Sequence, residues 1–83
     1  MKLRNKTKAT IERLGFKQPT ERQARRNPNT GKQHVLEPEA CQLYDFVVTR
    51  VYVCGKDYTR QEWDNARYYF LSKWPDEYYD LID

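Results

Sequence analysis

The sequence predicts a mainly α-helical domain: a small antiparallel helix pair, a short C-terminal helix that closes it, and a basic, partly irregular N-terminal arm containing a turn or small hairpin. Three observations predict this. Apolar residues recur at helical spacing after residue 37. Leu43 to Ile82 holds both tryptophans, all seven tyrosines and two of the three phenylalanines, and aromatic side chains bury the most area per residue. Charge divides at nearly the same place. Residues 1–36 carry ten Lys/Arg and two acids, a net of +8, while residues 37–83 carry five and ten, a net of −5. With 39% hydrophobic and 33% charged residues in 83 positions, apolar side chains must be concentrated to close a core. Residues 37–83 are therefore assigned to an aromatic-rich helical core. Residues 1–36 are assigned to the arm, either draped over the core or reaching away from it.

The elements follow in order. Thr7 to Phe16 reads as a short helical turn with Ala9, Ile11 and Leu14 on one apolar edge and Gly15 at the C′ position. Thr20 and Gln23 have capping-box spacing, which predicts a second short helix ending at Asn27-Pro28. Asn27-Pro28-Asn29-Thr30-Gly31 is the densest turn signal: proline fixes φ, asparagine tolerates left-handed geometry and glycine supplies positive φ. Gln33 to Leu36 then reads as a short strand, so Arg25 to Leu36 is a small hairpin or an ordered loop.

A helix over 38–53 is marked by Pro38 and Glu39 in its first turn and by Ala40, Leu43, Tyr44, Val47 and Val51. The β-branched run from residue 46 to 53 competes with it as a strand. Thr59-Arg60-Gln61-Glu62 is a capping box. It opens a helix over 60–73 that puts Trp63, Ala66, Phe70 and Trp74 inward, with Glu62, Asp64 and Arg67 outward. Pro75 stops it, and Asp76-Glu77 begin a last helix over 76–82.

Composition also narrows function. A membrane span and a secretory signal are not expected, because no long apolar run is present. Cys41 and Cys54 lack CxxC spacing, so reduced thiols in an intracellular compartment are expected, with a Cys41–Cys54 bridge as the alternative. No zinc pattern, phosphate loop or nucleophile elbow occurs, and His34 is the only histidine. The expected class is a non-enzymatic protein that needs no cofactor.

Two groups of residues are candidates for contact. Seven tyrosines exceed what one helix stripe can bury, so Tyr68, Tyr78 and Tyr79 are candidate protein contacts, with one of Tyr78 and Tyr79 facing out. Arg22, Arg25, Arg26 and Lys32 flank the turn and are candidate contacts to phosphate or to an acidic surface. The expected role is protein interaction or assembly, through a partner or self-association. Nucleic-acid binding by the basic arm is one alternative, and inhibition of a host enzyme by the acidic C-terminal end is another.

Two resemblances bear on this. Arg26-Asn27-Pro28-Asn29-Thr30-Gly31 resembles the R-N-P-x-T-G stretch at the tip of the DNA-binding β-arm in the HU/IHF family of bacterial DNA-bending proteins. The resemblance implies that Pro28 would wedge between base pairs. It covers six residues, and that family's helical dimerisation body and long apolar arm strands are missing here. In being short, highly charged and aromatic-rich without catalytic residues, the chain is similar to accessory proteins of bacteriophages. That similarity implies a viral protein located in the cytoplasm or the virion.

Overall fold

A computed structural model describes residues 2–48 and 58–82. The described residues form four helices and one two-stranded sheet: α1 (Asn5–Arg13), β1 (Gln23–Arg26), β2 (Gln33–Leu36), α2 (Pro38–Val48), α3 (Arg60–Lys73) and α4 (Pro75–Leu81).

The best-buried element is α2. Ala40, Cys41, Gln42, Leu43, Tyr44, Phe46 and Val47 are all buried, and a helix apolar around most of its circumference must be covered on several sides. α1, both strands and α3 pack against it. The helical period therefore holds through Val48. Residues 49–53, Cys54 and the expected end of this helix lie outside the described residues.

Thr59 caps α3 as the sequence predicts. Its Oγ1 accepts from the Glu62 amide at 3.2 Å and donates to Glu62 Oε1 at 3.1 Å. This folds Glu62 inward, where it is buried, contrary to the outward position expected for it. Burial alone would raise its pKa, but hydrogen bonds from Thr10 and Thr59 and the charge of Lys6 hold the carboxyl below its ordinary value. On the same helix Ala66 and Phe70 are fully buried, Trp74 is nearly so, and Trp63 is half-buried with its Nε1 donating to Val47 O at 3.0 Å. Trp74 ends α3, and Pro75 starts α4 at a first-turn position. α4 then returns against α3, stacking Tyr78 near Phe70 at 6.4 Å.

The N-terminal third supplies part of the core. α1 packs on α3 and α2 and buries Thr7, Thr10 and Ile11 rather than Ala9, which is exposed. Gly15, at φ +93°, donates to Glu12 O, and the Phe16 amide donates to Ile11 O at 3.2 Å. These two bonds make a Schellman stop, which turns Phe16 onto Phe46 edge to face at 5.9 Å. The radius of gyration, 12.0 Å, matches the roughly 12 Å of a compact chain this long. The N-terminal segment therefore lies along the body.

The second short helix expected after Thr20 does not form; Gln23–Arg26 is β1 instead. It pairs antiparallel with β2, Gln23 opposite Leu36 and Arg25 opposite His34. The physical reason is local. As a helix, residues 20–26 would present no apolar face to bury. As a strand, the backbone groups are satisfied by β2, and the Gln23 carbonyl covers the Cys41 thiol at 3.6 Å. Gly31 closes the turn with φ +79° and donates to Asn27 O at 2.8 Å.

A candidate interaction face on the third and fourth helices

Strand alternation turns Arg25, His34 and Leu36 toward the helices and leaves Ala24, Arg26, Gln33 and Val35 exposed. All three nitrogens of the Arg25 guanidinium are engaged. Its Nε and Nη2 form a two-pronged pair with Asp45 at 2.9 and 3.0 Å, and its Nη1 donates to Ala24 O and Gln23 Oε1. Lys32 Nζ lies 3.3 Å from Asp80 Oδ1, and Arg22 sits 3.9 Å from Glu37. Arg26 is exposed and makes no ion pair among the described residues.

Asp80 on α4 fastens the hairpin tip. Its backbone carbonyl accepts from Asn27 Nδ2 at 3.1 Å, and its Oδ2 lies 2.6 Å from His34 Nε2. Because an ionised carboxylate only accepts, the His34 proton belongs on Nε2. The bond from His34, then that from Lys32, holds the Asp80 carboxyl below its ordinary value. Asn27 is buried, and its Oδ1 takes the Asn29 amide at 2.8 Å. The resemblance to a DNA-binding arm meets a different geometry here. The strands are four residues long, and the tip is tied to α4 rather than projecting.

The tyrosine candidates divide. Tyr68 and Tyr79 are 43% and 59% exposed, while Tyr78 is only 6% exposed. The residue that joins them is Arg67, which sequence reasoning placed outside and gave no role. Its guanidinium carbon stacks 4.3 Å from the Tyr68 ring centroid and 5.2 Å from that of Trp63. Its Nη1 donates to Tyr78 Oη at 2.8 Å, and the Tyr78 ring meets Tyr79 edge to face at 5.6 Å. A contact-linked band therefore runs Trp63, Arg67, Tyr68, Tyr78, Tyr79. Arg67 is half-buried and has no carboxylate within ion-pair distance among the described residues, and its Nε is buried without a hydrogen-bond partner. The hydrogen bond to Tyr78 raises its already high pKa against the effect of burial. It stays charged.

Sequence reasoning also missed Asn65. Its buried side chain accepts from the Arg4 amide at 2.9 Å and donates to Lys2 O at 3.2 Å, pinning the first residues to α3. Nothing in the spacing marks an asparagine for this. No group of three or more His, Cys, Asp or Glu able to hold a metal occurs among the described residues. No helix there is long and apolar enough to cross a membrane. In comparisons with known proteins, the chain matches no family model, no curated protein and no solved structure.

Proposed function

We propose that this chain is a small non-enzymatic protein-interaction or assembly protein whose docking face is the band of Trp63, Arg67, Tyr68 and Tyr79. The observation that carries the reading is Arg67: a half-buried cation without a carboxylate partner among the described residues, its guanidinium carbon 4.3 Å from the Tyr68 ring centroid and 5.2 Å from that of Trp63. Keeping a guanidinium partly desolvated, with its Nε buried and unpaired and no counter-charge, is costly. A partner carboxylate or carbonyl would satisfy its remaining donors. Trp, Tyr and Arg are also the residue types that dominate binding energy at protein interfaces. Arg67 is preordered by Tyr78, so docking loses little side-chain entropy there. A bacteriophage accessory or virion component is the setting that the chain's size and composition fit.

The test compares the wild-type chain with a Tyr68→Ala/Tyr79→Ala variant. Both positions are exposed, so circular dichroism should be unchanged. Sedimentation reads self-association, and cross-linked capture from the native host reads a heterologous partner. The reading expects the wild-type complex to be lost in the variant. If both chains give the same complexes, or neither gives any, the band is not a docking face.

A further inference from the structure

We propose that the flank of α3 where the N-terminal segment is pinned, adjoining the docking face at Tyr68, is a second site that binds single-stranded nucleic acid, with Lys2, Arg4 and Lys8 on phosphates and Tyr68 stacking a base.

Cations already paired with a carboxylate have little left to offer a phosphate. On the hairpin, Arg25 and Lys32 are committed to Asp45 and Asp80, Arg22 lies near Glu37, and Arg26 alone makes no ion pair among the described residues. Near the N-terminus the position is reversed. Lys2, Arg4 and Lys8 are exposed and make no ion pair among the described residues, whereas Lys6 acts electrostatically on Glu62. Among the described residues, three neighbouring unpaired cations therefore lie at positions 2–8, against one, Arg26, on the hairpin.

These cations are also positioned. Asn65 grips the backbone on both sides of Leu3, accepting from Arg4 and donating to Lys2. The Lys8 amide bonds Arg4 O at 3.0 Å, which sets Lys8 one helical turn beyond Arg4 on the same side. Beside them Arg4, Gln61, Asp64, Asn65 and Tyr68 line a shallow cleft of about 240 Å³. This is smaller than the ~300–1,000 Å³ of pockets that enclose a small molecule, and it suits one flat ring laid against its wall. Tyr68 supplies such a ring, stiffened from behind by Arg67 at 4.3 Å. Asp64 would repel a phosphate, but Arg60 lies 3.6 Å from it and offsets its charge. Gln61 and Asp64 leave polar groups for a base edge. Cations that track a backbone beside an exposed aromatic that takes a base are the two parts of a single-strand site. The two faces meet at Tyr68, so this chain would join a protein partner on the α4 side to a strand on the α1 side.

Fluorescence anisotropy with labelled oligothymidylate of about 12 nucleotides, within the usual span of one small site, tests the proposal. Heparin serves as a charge-only competitor. Three phosphate contacts at about 0.7 each give a slope near −2 for log affinity against log salt, and Arg4→Ala with Lys8→Ala should remove about 1.4 of it. Tyr68→Ala should weaken oligothymidylate binding about tenfold without changing heparin binding, and Tyr68→Phe should retain both. Arg22→Ala with Arg26→Ala should have the smaller effect. Tyr79→Ala should have none, which separates this site from the protein-docking face. Absence of binding at low salt overturns the proposal. So does a hairpin variant that loses as much as the N-terminal one, or a Tyr68→Ala loss equal for heparin and oligothymidylate. Binding that fails while Arg4 and Lys8 prove necessary for capturing a protein would assign these cations to an acidic protein surface instead.

Discussion

Ile11→Ala tests whether the N-terminal third is structural. Ile11 is 1% exposed and belongs to the same core cluster as Phe46, Phe70 and Leu81. Truncating a buried isoleucine to alanine removes transfer free energy and leaves a cavity, about 2–5 kcal/mol in all. A site enclosed by α1, α2 and α3 has little room to collapse, so a loss near 3 kcal/mol is expected, around the middle of that range. A domain of this length has roughly 4–12 kcal/mol in total, and each kcal/mol moves the melting temperature by about 4–8 °C. The drop should therefore be on the order of 10–25 °C.

The assay uses the position of the reporters. Both tryptophans, Trp63 and Trp74, lie on or just after α3, far along the chain from Ile11. Guanidinium unfolding followed by tryptophan fluorescence then asks whether a cut in α1 is felt in α3. The exposed Ala9→Ser on the same helix is the control. If Ile11→Ala leaves the tryptophan midpoint where Ala9→Ser leaves it, α1 is not part of the cooperative core and the packing argument is refuted.

Three further outcomes follow from the geometry. Asp45→Ala should cost about 1 kcal/mol, low for a two-pronged pair because both side chains remain partly in water; urea unfolding in a double-mutant cycle with Arg25→Ala should show coupling, and additive losses would deny the pair any role. Thr59→Ala should destabilise by about 1 kcal/mol through loss of the α3 cap, and Thr59→Ser should recover most of it in the same measurement. Acid should release the hairpin. The Asp80 pKa is lowered by His34 and then Lys32, so its contribution is complete above the unfolded carboxyl value and fades as pH falls through the lower folded one. Amide exchange of Asn27 and Gly31 should accelerate in that acid range, and an Asp80→Asn chain that keeps the same acid dependence would count against it.

Elements whose cause is local could be read from the residues. Thr59 with Glu62, Pro38, Pro75, Gly15 and Gly31 specify starts, stops and turns through their own backbone chemistry, so α3, the start of α2, α4 and the turn at 27–31 were legible. The concentration of rings after Leu43 likewise marked where most of the core lies. The remaining features depend on contacts between distant residues, which leave no trace in spacing. β1 replaced an expected helix because β2 and the Gln23–Cys41 contact outweigh a weak capping preference. The Thr59 cap turns Glu62 inward, and only the docking of α1 brings Thr10 and Lys6 to hold its carboxyl charged there. Net charge says how many cations a segment has, but not which acids they meet. Only the fold brought Asp45 to Arg25 and Asp80 to Lys32 while leaving Arg4, Lys8, Arg26 and Arg67 without an ion pair among the described residues, and a cation's capacity for a partner depends on what already neutralises it.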